Sequence, residues 1–316
     1  MLFSFFSHWL QGSLKNESVE QELPLTEKSP GEQVHYTYPV KKVRVQPNIE
    51  IAYIDEGSPD APVLLFIHGL AGGIPGWQKN IPVLRKQYRC IALDLPGHGL
   101  SAKGDFAYDM EFFTGVVLLF LDALGFEKVT IVGHSMGGQI AIILALKVPS
   151  RVSELILVSP AGIEPYTPIE KQTIINMTVA MSASGQAFTQ YRMNYFMAFN
   201  HNPKHAGELV TQLPYTKEDA AMMSRLLVRA IESILLASVN RVLHRIRQRC
   251  LVLVGNEDQV SPYQYFHRQG FAEITKIEVA KIPYATLRIF SPCGHYVQYQ
   301  RPRTFNKEVV QFLSNT

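Results

Sequence analysis

The 316-residue chain is 47% hydrophobic and 18% charged, with a formal net charge of +3. That much apolar material builds a sizeable core and excludes wholesale disorder, while so small and scattered a basic excess leaves no electrostatic footprint for nucleic acid. A length beyond the usual single domain predicts one large α/β core carrying an inserted lid, and the weak charge fits a small, apolar substrate better than a polyanion.

Met1–Leu10 reads MLFSFFSHWL, apolar but broken by Ser4, Ser7 and His8. It lacks a basic leader and a small-residue cleavage site, so it makes a poor signal peptide, and it falls well short of the roughly 20 residues that span a bilayer. Leu2, Phe5, Phe6 and Trp9 follow helical spacing. Two readings stay open: a segment lying on a membrane surface or against the lid, and a frayed terminus. Residues 11–35 are polar, with Pro24 and Pro30, and read as a linker. Residues 1–35 are therefore an N-terminal extension, and the expected location is cytoplasmic, with any peripheral membrane contact made through residues 1–10.

Val43–Val45 and Ile51–Ile54 flank a turn at Pro47-Asn48, which predicts an antiparallel hairpin at a sheet edge. The continuous branched runs Val63–Ile67, Cys90–Leu93, Val129–Val132 and Leu155–Val158 read as buried parallel strands. Helix-length segments, Gln78–Gln87, Met110–Leu124 and Met136–Lys147, alternate with them as in crossover units. After Pro160 the alternation stops for about eighty residues, too long for a plain loop. Amphipathic stretches such as Ala220–Leu243 there predict a helical lid over residues 162–245, inserted after the sixth strand between core segments 36–161 and 246–316. Leu251–Val254, a loop, Leu287–Phe290 and a closing helix over Arg303–Leu313 complete a mostly parallel, doubly wound, eight-stranded sheet.

The lid carries Met177, Met181, Met193, Met197, Met222 and Met223, interleaved with Phe188, Tyr191, Tyr195, Phe196 and Phe199. These suit ordinary packing residue by residue and, taken together, a greasy acyl pocket. Arg241, Arg245, Arg247 and Arg249 either bind acidic partners or complement a helix C-terminus, the second being favoured. Cys90, Cys250 and Cys293 are odd in number and far apart, which argues against a disulfide scaffold and for buried fillers.

The chemistry centres on Gly133-His134-Ser135-Met136-Gly137, a G-x-S-x-G sequence between a buried run and a helical one. A serine on a sharp strand-to-helix turn needs glycines two positions either side, and the helix aims its N-terminal amides at the carbonyl under attack. Phe66-Ile67-His68-Gly69-Leu70 ends an earlier strand. The Leu70 and Met136 N–H groups can together form an oxyanion hole; His68, Gly69 and His134 are candidate substrate contacts, and His68 and His134 read equally as supports for backbone geometry. Gly72 and Gly73 let the loop approach a ligand, or merely make it pliable.

Serine needs a base, and of ten histidines His295 alone follows the last predicted strand. His98, in Asp94-Leu95-Pro96-Gly97-His98-Gly99, is the rival, although its setting reads as a tight turn. A histidine base needs a carboxylate to orient it. Asp258, just past the Leu251–Val254 run, is the best placed, with Glu257 as the alternative.

The motifs GHSMGG, HGLAGG, LDLPGHGLSAK, LVLVGNEDQVSP and SPCGH, in this order, resemble those of the α/β-hydrolase family from Tyr36 to the C-terminus. The resemblance implies an acyl-enzyme mechanism run by Ser135, His295 and Asp258 on an ester. The family's dehalogenases and epoxide hydrolases carry aspartate where this chain has Ser135, so those activities are disfavoured. The H-G-Leu loop points to lipases, carboxylesterases and carbon–carbon bond hydrolases of ring-fission products. No HExxH, P-loop or dinucleotide fingerprint is visible, so neither metal nor cofactor is expected. The leading expectation is an esterase or lipase for small esters with a moderately apolar acyl chain. A carbon–carbon hydrolase with the same three residues, and a receptor-like binding module on the same fold, are the alternatives. Oligomeric state is not legible.

Overall fold

Backbone groups inside an apolar layer must pair with one another, and branched runs buried on both faces do so as parallel strands covered by helices. A computed structural model of the chain describes residues 36–184, 198, 209, 219–260 and 266–315. Its strands are β1 (Lys41–Gln46), β2 (Ile49–Glu56), β3 (Val63–Ile67), β4 (Arg89–Leu93), β5 (Val129–His134), β6 (Val152–Val158), β7 (Arg249–Gly255) and β8 (Ala285–Phe290). They form one sheet in the order β1-β2-β4-β3-β5-β6-β7-β8. The hairpin turning at Pro47-Asn48 pairs β1 with β2 antiparallel, β2 meets β4 antiparallel, and every later pairing is parallel.

Side chains alternate across the pleat. Leu65 and Ile67 of β3 face one layer with Ile91, Leu93, Ile131 and Leu157. Leu64 and Phe66 face the other with Cys90, Ala92, Val132 and Val158. Helices α1 (Met110–Ala123) and α2 (Met136–Lys147) cover the first layer through Phe113, Val117, Phe120, Ile140 and Leu144. The closing helix, Pro302–Ser314, covers the second through Phe305 and Val309. From β3 the chain crosses outward to β4 and then returns past β3 to β5, so connections leave the β3–β5 pair in opposite directions. A crevice opens at such a switch point, beyond the carboxyl ends of the strands.

Between β6 and β7 lie α3 (Pro168–Ala183) and α4 (Ala220–Leu236). Thr167 and Glu170 form a capping box and Pro168 occupies the first turn, so α3 starts where its unpaired amides are satisfied. The Ser182 and Ser224 hydroxyls hydrogen-bond across α3 and α4. Helix α4 buries Met223, Leu226 and Ala230 and is fastened to the core along its length. Lys103 pairs with Asp219 at 3.1 Å, Arg229 with Asp105 at 2.7 Å, and Ser233 accepts the Met110 N–H at 2.8 Å. At its end Gln139 of α2 donates to the carbonyls of Ile234 (3.1 Å) and Ala237 (2.9 Å), while Val239 N–H turns back to Gly162 O at 2.8 Å. These bonds stop the expected Ala220–Leu243 helix at Leu236.

Two further expectations change. In place of a Gln78–Gln87 helix there is a 3₁₀ turn at Ile74–Trp77 and a single α turn at Ile81–Leu84. Pro82 lacks the N–H a longer helix needs, and the buried Asn80 amide is drawn off to Gln298 O and Asn306 Oδ1. The stretch between the last two strands, expected to be loop, contains α5 (Phe271–Val279), which buries Phe271, Ile274, Thr275, Glu278 and Val279 at helical spacing. The closing helix is thus α6. The extension 1–35 and Phe188, Tyr191, Met193, Tyr195, Phe196, Met197 and Phe199, expected in a lid, lie outside the described residues. Among the described residues, no helix is long and apolar enough to cross a membrane.

Gln139 is buried, and its amide serves two carbonyls at the end of α4. Gln139→Ala is therefore expected to lower unfolding free energy by about 1–3 kcal/mol, read as a lower urea midpoint. Gln139→Glu, which sets a carboxylate against those carbonyls, loses more.

Candidate active site

Ser135 joins β5 to α2 with φ +53° and ψ −117°, a conformation costing a non-glycine residue roughly 1–3 kcal/mol. Main-chain bonds hold it there. Its N–H donates to Val158 O at 2.9 Å, and its carbonyl accepts from Gly138 N (2.9 Å), Ala161 N (3.0 Å) and Gln139 N (3.2 Å). The turn packs so tightly on the end of β3 that a methyl group on Gly137 would collide with the Ile67 and His68 carbonyls. Ser135 alone is half-buried, between neighbours that are fully buried.

The Gly69–Ile74 loop runs beside it. Gly69 lies against the serine, where an added methyl would stand 2.9 Å from Ser135 Cβ. His68 Nε2 accepts the Leu95 N–H at 2.9 Å, so Nδ1 carries the proton and donates to Gly69 O at 2.7 Å. Ala71, at φ +59°, gives its N–H to His98 Nε2 at 3.0 Å, and His98 Nδ1–H reaches Pro96 O at 3.0 Å. Asp94 accepts from Ile74 N, Leu100 N and Tyr36 Oη, each at 2.8 Å. Among the described residues, neither Leu70 N–H nor Met136 N–H donates to a protein acceptor, which suits both to a developing oxyanion. Burial pushes His68 down and His98 well down, so both imidazoles stay neutral. It pushes Asp94 up, against the pull of His68 and the three donors.

Beside this turn, at the same end of the sheet, the loops after β7 and β8 meet. Gly255 has no room for a side chain under the Cys293 and Gly294 carbonyls, and Glu257 N–H donates to Cys293 O at 2.9 Å. This brings Asp258 Oδ2 to 2.7 Å from His295 Nδ1, with both side chains buried, while Asp258 Oδ1 accepts from Val260 N at 3.2 Å. Asp258, not Glu257, therefore holds the imidazole. With Nδ1–H committed to a carboxylate, Nε2 carries the lone pair that can take a proton. His98, the rival base, is fully buried with both ring nitrogens engaged.

No hydrogen bond joins Ser135 Oγ to His295 among the described residues. One link between the two sides is made by His134. Its Nε2 lies 3.1 Å from His295 O, and its ring centroid stands 4.7 Å from that of His295 and 4.4 Å from that of Tyr296. Ala198, from the segment between α3 and α4, accepts the His295 N–H at 2.9 Å. Of the expected substrate contacts, His68 and His134 are each only 2% exposed and serve the backbone beneath the site, and Gly69 provides clearance. The bonds made by His134 and Ala198 had no local signal, because their partner is distant in the chain. Cys90, Cys250 and Cys293 are free and buried, and burial pushes the Cys90 and Cys293 thiols up to about 12, leaving them protonated and unreactive.

The profile of the family described as alpha/beta hydrolase fold matches residues 62–302. The chain is 29% identical over 262 residues to the 2-hydroxymuconate semialdehyde hydrolase of Pseudomonas sp. (strain CF600), covering 79% of this chain and 86% of that protein. It is 28% identical over 274 residues to the dihydrolipoyllysine-residue acetyltransferase component of the acetoin cleaving system of Cupriavidus necator, covering 84% of this chain and 67% of that protein. The chain thus spans about two thirds of that relative. The crystal structure of a probable hydrolytic enzyme from Pseudomonas aeruginosa PAO1 matches with a TM-score of 0.73 and 26% identity over 92% of this chain and 99% of that one.

The buried imidazoles set a pH dependence. His68, His98 and His134 have folded pKa values below their unfolded ones, so below the ordinary value of about 6.5 the unfolded chain binds protons that the folded chain refuses. Stability should fall as the pH drops through that region, by up to about 1.4 kcal/mol per pH unit for each imidazole. Asp94, shifted up, works in the opposite sense and trims the loss. Urea unfolding at pH 7.5 and 5.5 is expected to show the lower midpoint at pH 5.5; an equal or higher one would contradict the assignment of neutral imidazoles.

Proposed function

The chain belongs to the alpha/beta hydrolase fold family, and on that footing we propose that it is a serine hydrolase cleaving small carboxylic esters with a moderately apolar acyl group. The observation that carries this reading is the buried 2.7 Å Asp258–His295 contact, joined through His134 to the strained turn that holds Ser135. Ser135 Oγ attacks the acyl carbon while His295 Nε2 takes its proton, and Asp258 stabilises the imidazolium so formed. The carbonyl oxygen becomes an oxyanion between the Leu70 and Met136 N–H groups, at the N-terminus of α2. Collapse returns the proton to the leaving alcohol. Water, deprotonated by the same histidine, then releases the acid and restores Ser135.

A second reading is cleavage of a carbon–carbon bond in a dienoic ring-fission product. It is favoured by the similarity to 2-hydroxymuconate semialdehyde hydrolase, and it draws on the same serine, imidazole and carboxylate.

p-Nitrophenyl esters of graded acyl length should be turned over, and a fluorophosphonate probe should label the protein at Ser135. Ser135→Ala is expected to abolish both, and Asp258→Asn to lower kcat by about 10⁴-fold. A wild-type protein that hydrolyses no ester and takes no label would sink the hydrolase reading. Bleaching of a dienoate chromophore without ester turnover would select the carbon–carbon reading.

A further inference from the structure

His295 is tied down at three points. Its ring is held by Asp258, its N–H by Ala198 O, and its carbonyl faces His134 Nε2 at 3.1 Å. Asp258 and His295 both belong to loops after β7 and β8, whereas Ser135 follows β5, with β6 lying between β5 and β7. The carboxylate can therefore orient the imidazole without setting its distance from the serine. A side chain reaching from the nucleophile's own turn to the histidine's own main chain does set that distance. His134 is such a side chain, the last residue of β5 and the chain neighbour of Ser135.

We propose that His134 is a positioning residue whose Nε2–H, donated to the carbonyl of His295, holds the imidazole at working distance from Ser135. The proposal rests on the serine hydrolase reading above. A carbonyl can only accept, so Nε2 carries the proton and the tautomer follows. The ring is wedged between His295 at 4.7 Å and Tyr296 at 4.4 Å, with Trp77 edge-on at 6.4 Å, which removes its freedom to swing away. Burial, and after it the charge of the neighbouring His295, push His134 well below the ordinary histidine value. It therefore stays neutral while His295 is protonated. A neutral imidazole at that spot can brace the base without repelling the cation that forms on it or competing for the proton.

The test separates donor from ring. His134→Phe keeps an aromatic wedge and removes the donor. His134→Gln removes the ring but can place an N–H at the Nε2 position. On a short p-nitrophenyl ester, His134→Phe is expected to lower kcat by about 10- to 100-fold, the scale on which small misplacements of a reacting group act. KM should change little, and fluorophosphonate labelling should slow by a similar factor. His134→Gln should recover most of the lost kcat. If the Phe variant does not fold, His134→Asn, whose amide is too short to reach the carbonyl, takes its place. Wild-type kcat in the Phe variant, or a Gln variant no better than Phe, would overturn the proposal. Should wild type itself prove inactive, the hydrolase reading falls. The His295 Nδ1 proton resonance, identified by its loss in Asp258→Asn, then decides separately: broadened or shifted in His134→Phe and restored in His134→Gln supports the brace, unchanged in both refutes it.

Discussion

The site depends on the grip that β6 keeps on one residue of the neighbouring turn. Ser135 gives its N–H to Val158 O and receives Ala161 N–H at its carbonyl, so the end of β6 holds both sides of a peptide whose φ is unfavourable to any side chain. Released from these bonds the turn would relax toward ordinary helix geometry. The strain is small beside the cooperative pairing of the sheet, which is why it can be stored there. Once the turn exists, other features follow. A residue without Cβ is demanded at Gly137, and β3 ends flush against the first turn of α2.

The same logic extends to the opposite wall. Gly255 leaves no space between the β7 end and the Cys293-Gly294 backbone, so the loop bearing His295 is drawn down until its imidazole meets Asp258. Both walls are built by main chain pressed on main chain, with side chains filling what is left. Such contacts do not adjust continuously, and a constellation set by them is more accurate than one carried on exposed loops.

Much of this was legible from residues in sequence. Unbroken branched runs marked the strands after Pro47, and a glycine two positions either side of Ser135 marked the turn. A histidine after the last run and a carboxylate after the one before it could be placed at one sheet edge by topology alone. Three things were not legible. The Gln78–Gln87 segment has helical length, yet Pro82 and the captured Asn80 amide break it, and the Asn80 partners lie more than two hundred residues away. Helix α5 carries its apolar residues at helical spacing from Phe271 to Val279, but it is short and lies in a stretch read as loop. His68 and His134 were readable both as substrate contacts and as supports for the backbone; burial and the direction of their bonds favour support. The partner of His134 is 161 positions away, beyond any local pattern.

Those reassignments expose a division of labour among imidazoles. Four of them, His68, His98, His134 and His295, lie within one polar layer under the crevice. Three are sealed from solvent, with ring nitrogens bonded to main-chain groups, and burial makes their protonated forms costly. The fourth alone is paired with a carboxylate. A buried imidazole with a fixed tautomer is a rigid, neutral bracket able to accept one backbone N–H and donate to one carbonyl. In this layer His68 and His98 use that capacity to lock the loop presenting Leu70. Lysine or arginine could not replace them, since neither can accept a hydrogen bond, and each would set a cation beside the imidazolium that the proposed reaction must form. At His68, His98 and His134 histidine is recruited chiefly for its geometry, and burial keeps all three neutral.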